Sequence, residues 1–325
     1  MPLVAELPAA QTSYVPISVT TLRPDHSIEI ALYLRESGAG SPILYRDKGI
    51  PLNASDLKGL QARGLTTLYV TSEEFEIYQR YLRDNVDSVL ADESVPVVNR
   101  FSHLNEVIRH ILAESFRRNK TAETVTTCQN IAHKAVDLIC RKDAVASELL
   151  GVLYHDYCTF THSANVCYYC VFLAKALGIS NHADLHCIAV AGLLHDLGKL
   201  EIPETILNKP GALSRAERDI MKEHPRTGFL KLCQRHDLSS DQLMMVYQHH
   251  ERIDGKGYPV GHVGAEIHDW GRICAVVDVY EALTSNRPYR SALGRNEAFG
   301  IMGRDAGCAL DKELFACWLQ AISTT

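Results

Sequence analysis

His195-Asp196 closes the apolar run Ile188-Ala-Val-Ala-Gly-Leu-Leu194, which places an imidazole and a carboxylate at the inner end of a buried helix. An unpaired buried carboxylate is costly, so Asp196 calls for a hydrogen-bonded or cationic partner. Asp278 stands in the same situation inside Ile273-Cys-Ala-Val-Val-Asp-Val-Tyr280. His162 lies on the apolar face of its predicted helix and His224 ends another. His249-His250 form an adjacent pair whose side chains diverge by about 100° on a helix. Such a pair is not expected to chelate one ion. It serves two neighbouring ions, or sends one ligand inward while the other closes the shell. A lone His on an apolar face is ordinarily a hydrogen-bonded core residue. The joint appearance of His162, His195, Asp196, His224, His249, His250 and Asp278 on separate segments reverses that reading.

Imidazoles and carboxylates without thiolate suit iron, manganese, nickel or zinc and do not resemble a structural zinc site. Two such ions ~3.5–4 Å apart can share an Asp carboxylate and a hydroxide, and clamp the attacking and leaving oxygens of a phosphodiester during in-line displacement. Cationic groups follow the ligands. Lys199 lies one helical turn beyond His195, and Arg287 and Arg290 lie two to three turns beyond Asp278. Lys supplies a compact charge to a reacting phosphoryl group, whereas Arg grips an oxygen pair in a fork. Between the His pair and Asp278 runs Asp254-Gly-Lys-Gly-Tyr-Pro259, whose glycines permit a tight, mobile loop and whose Tyr258 can stack on a base.

The elements that must hold these groups are mostly helices. After Phe101 the strand signals fade and apolar residues recur three and four apart, as in the stripe His162, Val166, Tyr169, Leu173 and Leu177 that ends at Gly178. Ser214-Arg-Ala-Glu217 is a capping box that starts a further helix, with Ile220 and His224 expected on one face. The first hundred residues instead read as a small α+β unit. Ile28 to Arg35 alternate with a period of two, and Ile43–Tyr45 and Thr67–Val70 are strand candidates. A capping-box pattern at Thr71–Glu74 opens a helix to about Leu90. The stretch 91–100 breaks the periodicity, and a domain boundary is expected there: 1–95 and 96–325. The expected class is mainly α, a helical bundle with a small amino-terminal α+β domain.

Composition narrows the rest. The 325 residues carry 33 basic and 39 acidic side chains, a formal charge of −6, so no overall basic field holds a long nucleic acid. The 10 Cys are scattered and begin only at Cys128, which argues for reduced core thiols over a disulfide framework. The Cys167/Cys170 pair lacks a second pair at zinc spacing. The opening MPLVAELPAAQ lacks a signal peptide's pattern, and no apolar run reaches the ~18 residues that span a bilayer, so the expected compartment is the cytosol without membrane association.

Taken in order, HDLGK at 195–199, KEHP at 222–225, HHE at 249–251, DGKGYP at 254–259 and DVYEALTSNRPYR at 278–290 closely resemble the bacterial HD-GYP family of HD phosphohydrolases. The resemblance covers about residues 155–320, including IPETILNKPGAL. It implies a helical HD-GYP domain and metal-dependent hydrolysis of cyclic di-GMP, by attack of a hydroxide shared between metals, to linear pGpG or GMP. It implies that the seven His and Asp residues are the metal ligands, with Asp196 the bridge, and that His195, Asp196 and Lys199 are catalytic. Substrate contacts fall to Lys199, Asp254, Gly257, Tyr258, Pro259, Arg287 and Arg290. Members with three metals carry a Glu one turn before the first His, where this chain has Cys158; a binuclear site, iron or manganese foremost with nickel or zinc admissible, is therefore expected. A catalytically silent sensor and a hydrolase of another cyclic dinucleotide, such as cyclic GMP-AMP, are the rival readings. Residues 1–95 more weakly resemble the regulatory domains that precede some such modules. The helix from Glu73 to about Leu90 is a candidate dimer element, and the GYP loop a candidate contact for a partner protein.

Overall fold

A computed structural model describes residues 13–35, 41–118, 120–141, 149–151, 153, 159–287 and 290–323. The chain divides into two compact units, Met1–Val107 and Ile108–Thr325. In the first, strands β1 (Tyr14–Ser18), β2 (Leu32–Leu34), β3 (Ile43–Arg46) and β4 (Thr67–Thr71) form an antiparallel sheet of order β1-β4-β2-β3. β1 and β4 pair in register from Tyr14↔Thr71 to Ser18↔Thr67. Leu68 and Val70 of β4 are fully buried, as are Tyr78 and Leu82 of α2 (Phe75–Ala91). A buried bond between Tyr78 Oη and Thr21 Oγ1, 2.6 Å long, satisfies the one polar atom of that ring. α1 (Ala54–Ala62) opens on an Asn53–Asp56 capping box and stops at Gly64, whose φ of 69° is the left-handed conformation that ends helices. The strand expected over 28–35 is only Leu32–Leu34. The Ile28 carbonyl instead accepts from Gly49 N in a turn, which leaves no ladder at that end.

The division between the units falls inside α3 (Val97–Arg118). The second unit continues with α4 (Thr121–Ile139), α5 (Thr159–Ala176) and α6 (His182–Leu194). A 3-10 turn at Leu197–Glu201 leads to α7 (Glu204–Leu207), α8 (Arg215–Met221), α9 (His224–Leu232) and α10 (Ser240–Gln248). α11 (Asp269–Thr284), α12 (Arg295–Asp305) and α13 (Lys312–Ser323) complete it. α5 and α6 are apolar nearly all round and so take the centre, α5 packing on α6, α11 and α13. The Ser214–Glu217 capping box forms, but its helix ends at Met221. Pro225, which has no N–H to donate, suits the first turn of a new helix, so His224 begins α9 and is buried while Ile220 is 43% exposed. The expected shared face is thereby broken. Cys128, Cys167, Cys170 and Cys274 are buried free thiols. Among the described residues no helix is long and apolar enough to cross a membrane.

Candidate metal and active site

Close helix crossings bring the predicted ligands together. A Cβ on Gly192 of α6 would lie 2.8 Å from the Cys167 Cα of α5, so this glycine sets how closely α5, carrying His162, meets α6, capped by His195. A Cβ on Gly198 would lie 1.9 Å from the His224 carbonyl oxygen, which presses the turn after Asp196 onto α9. α10 stops at Gln248 with His249 as its cap, and α11 supplies Asp278.

The ligand atoms fall into two groups, His162, His195 and Asp278 in one and Asp196, His224, His249 and His250 in the other, each with its atoms within 4.8 Å of one another. His195, His224 and His249 donate Nδ1–H to the carbonyls of Gly192, Met221 and Val246, each at 2.8 Å and each three residues earlier. Those bonds assign the tautomer and leave Nε2 as a lone-pair donor facing inward. His162 Nδ1 donates to Glu281 Oε2 at 2.5 Å, which leaves its Nε2 facing inward as well. His162 Nε2 and His195 Nε2 are then 3.2 Å apart, as are His224 Nε2 and His249 Nε2. Lone pairs facing at that distance require a cation between or beside them. Asp196 touches both groups: Oδ2 is 3.3 Å from His162 and 3.4 Å from His195, and Oδ1 is 3.2 Å from His224. Oδ1 is buried without a hydrogen-bond donor. The inward imidazole nitrogens, the two-faced carboxylate and that orphaned oxygen are a donor set that could hold divalent cations.

The titration behaviour agrees. Burial works to raise the Asp196 carboxyl, but Lys199 foremost, then His195, His162 and His224, carry it well below the carboxylate range. Asp278 is lowered against its burial chiefly by His162. Burial, with crowding by neighbouring imidazoles, pushes His249 well down, and burial lowers His195. His250 goes down to about 3, burial leading and His224 adding to it, although its side chain keeps 25% exposure. His162 alone is driven well up, because Glu281 and then Asp196 and Asp278 overcome the cost of burial. His162 Nε2 lies 3.0 Å from Asp278 Oδ1.

The two His expected to diverge both serve the Asp196 group. The 100° argument spread the pair around a helix; α10 ends at Gln248 with His249 as its cap, and the two ring centroids lie 4.3 Å apart.

Beside the ligands opens a cavity of about 610 Å³, lined among others by Lys199, Tyr258, Arg287 and Arg290. Lys199 Nζ lies 2.5 Å from Asp196 Oδ2. Arg290 donates to the carbonyls of Ala282 (2.6 Å) and Leu283 (3.0 Å) at the end of α11, and Arg287 reaches Glu281. The Tyr258 ring stacks on His250 with centroids 4.7 Å apart. Asp254, Gly257 and Pro259 do not line the cavity. Asp254 is held by Nη2 and Nε of the Arg252 guanidinium, at 2.7 and 2.9 Å. Gly257 passes so close to Glu251 and Arg252 that a Cβ would lie 2.4 Å from the Arg252 nitrogen, so this glycine serves close approach. Cys158 lies outside the described residues.

Sequence reasoning missed Glu281, which is buried and accepts from His162, from Asn165 (3.2 Å) and from Ser285 (2.6 Å). Its signal was the three-residue spacing from Asp278, which puts both carboxylates on the buried side of α11. Glu251 was missed too: its buried carboxylate receives the backbone N–H groups of Val260, Gly261 and His262 at 2.8–3.1 Å and pins the loop that carries Tyr258. Lys209 and Arg218 also line the cavity.

A family model described as HD domain matches residues 152–314. A cyclic di-GMP phosphodiesterase of Pseudomonas aeruginosa is 31% identical over 231 residues, 67% of this chain and 55% of that protein. A 3'3'-cGAMP-specific phosphodiesterase of Vibrio cholerae is 41% identical over 170 residues, 48% of this chain and 36% of that one. The chain thus spans about a third to a half of these two relatives. A HDG"Y"P protein from Bdellovibrio bacteriovorus superposes with a TM-score of 0.69 over 96% of this chain and 100% of that structure, at 21% identity, a likeness of fold.

Proposed function

The chain belongs to the HD domain family, and from that footing we propose that it is a metal-dependent phosphodiesterase that opens cyclic di-GMP to linear pGpG. The observation that carries this reading is the two pairs of facing imidazole nitrogens around Asp196, with one Asp196 oxygen left for a cation. His162, His195 and Asp278 would hold one ion, His224, His249 and His250 the other, and Asp196 both. When bound, the ions would supply an acidified water and charge neutralisation at phosphorus. Iron and manganese suit the imidazole and carboxylate donors, and nickel and zinc are admissible. Lys199 would leave Asp196 for a nonbridging phosphate oxygen, Arg287 would grip the same phosphate, and Tyr258 would offer its ring to a guanine. Arg290 holds the end of α11 that carries Arg287. The amino-terminal unit, with no candidate metal cluster among its described residues, is assigned a regulatory role.

The test is turnover of cyclic di-GMP by anaerobically purified protein loaded in turn with iron, manganese, nickel and zinc, with metal counted per chain. Asp196→Ala is expected to lose metal and turnover together. A variant that keeps the parental rate overturns the mechanism. Full metal loading with bound, uncleaved nucleotide makes the protein a sensor. The 41% identity to the cGAMP-specific enzyme supports a second substrate reading, 3'3'-cGAMP, and competition between the two nucleotides in one assay separates them.

A further inference from the structure

Glu281 stands between the ligand shell and the phosphate-facing wall of the cavity. Its Oε2 accepts His162 Nδ1–H at 2.5 Å and also meets Arg287 Nη2 at 3.5 Å. Its Oε1 accepts from Ser285 and Asn165. His162 turns its other nitrogen to Asp196 and Asp278. Arg287 lines the cavity and its side chain is 12% exposed. One carboxylate oxygen therefore touches a metal-ligand imidazole on one side and a phosphate-facing guanidinium on the other.

The two contacts differ in strength. A charge-assisted N–H···O bond is normally about 2.7–2.9 Å long, so the bond to His162 is tight and the contact with Arg287 is loose. An anion entering the cavity competes for Arg287 and draws off the weaker of the two. Glu281 then keeps more of its charge for His162. A more strongly held Nδ1–H makes Nε2 a better electron donor to a cation.

We infer that Glu281 is a positioning residue that couples capture of a phosphate group by Arg287 to metal binding at His162. Coupling between two binding events is reciprocal, so bound metal tightens the hold on phosphate by the same factor. The inference rests on the phosphodiesterase reading only for the identity of the anion. Ser285 and Asn165 hold the carboxylate in place, so that it has one orientation from which to serve both neighbours.

The test titrates the full-length apoprotein with Mn²⁺ by calorimetry, with and without inorganic phosphate, in the parent, Glu281→Gln and Arg287→Ala. No nucleotide is present, so failure to cleave cyclic di-GMP leaves this result standing, and failure here leaves turnover standing. In the parent, phosphate is expected to tighten Mn²⁺ by roughly fivefold or more. Glu281→Gln is expected to weaken Mn²⁺ by about 10–100-fold and to reduce the phosphate effect. Arg287→Ala, which frees Glu281 in the same way, is expected to raise the phosphate-free Mn²⁺ affinity toward the parent's value in phosphate and to lose the phosphate effect. It also serves as the decisive variant if Glu281→Gln does not fold. Glu281→Asp, which keeps the charge, is expected to recover part of the Mn²⁺ affinity. Parental Mn²⁺ affinity in a folded Glu281→Gln, or an undiminished phosphate effect in Arg287→Ala, overturns the inference.

Discussion

At Asp196 the two oxygens of one side chain face different imidazole sets, so removing it dissolves both at once. The buried thiols illustrate the opposite case, side chains whose chemistry is suppressed by their surroundings. Burial pushes the Cys128 thiol from its usual 9.0 up to about 12. The folded state therefore holds this proton more tightly than the unfolded chain does. The contribution is fully present below pH 9.0 and is lost as pH climbs from there toward about 12. Melting temperatures measured across that window are expected to fall less steeply in Cys128→Ala than in the parent; equal slopes would contradict it. His195, Asp196 and Asp278 stood out in the sequence because each closes or interrupts an apolar run with a polar group that is costly to bury unpaired. Glu281 escaped notice because a Glu in a helix is usually read as solvent-facing. Asp254 could not be placed by spacing, since only the folded loop shows that Arg252, two residues before it, takes both its oxygens.

At the scale of elements, glycines decide how near the ligand-bearing pieces come. Gly198→Ala sets a methyl against the His224 carbonyl, backbone against backbone, and neither side can yield without moving α9. It is expected to cost stability at the upper end of about 1–3 kcal/mol and to reduce metal content, read from urea unfolding and metal analysis. Glu251→Ala releases the three N–H groups that pin the Tyr258 loop. KM for cyclic di-GMP is expected to rise about tenfold, the scale of one lost hydrogen bond to a charged group, while metal content stays at the parental level. Helix existence was readable from periodicity and caps. The break at Met221 was not foreseen, because a helix continued across it puts His224 on the face of the exposed Ile220, whereas the packed structure ends one helix at Met221 and begins the next with a buried His224.

Over the whole molecule the two His/Asp groups draw on segments spread between His162 and Asp278, so an ion held by either group would cross-link segments far apart in the chain. Such an ion would bind the folded arrangement in preference to the open chain. At free metal a hundred times Kd, each site is expected to add about 2.7 kcal/mol, seen as a rise in Tm that a chelator reverses. An unchanged Tm on loading would mean that the folded protein does not bind the ions in preference to the open chain. The carbonyls that receive the Nδ1–H groups of His195, His224 and His249 belong to the last turns of α6, α8 and α10. Three helices therefore point the negative ends of their macrodipoles at one place, and each imidazole passes that polarity inward from Nδ1 to Nε2. Part of the negative potential at this cluster is thus a property of backbone direction, present before any carboxylate is counted.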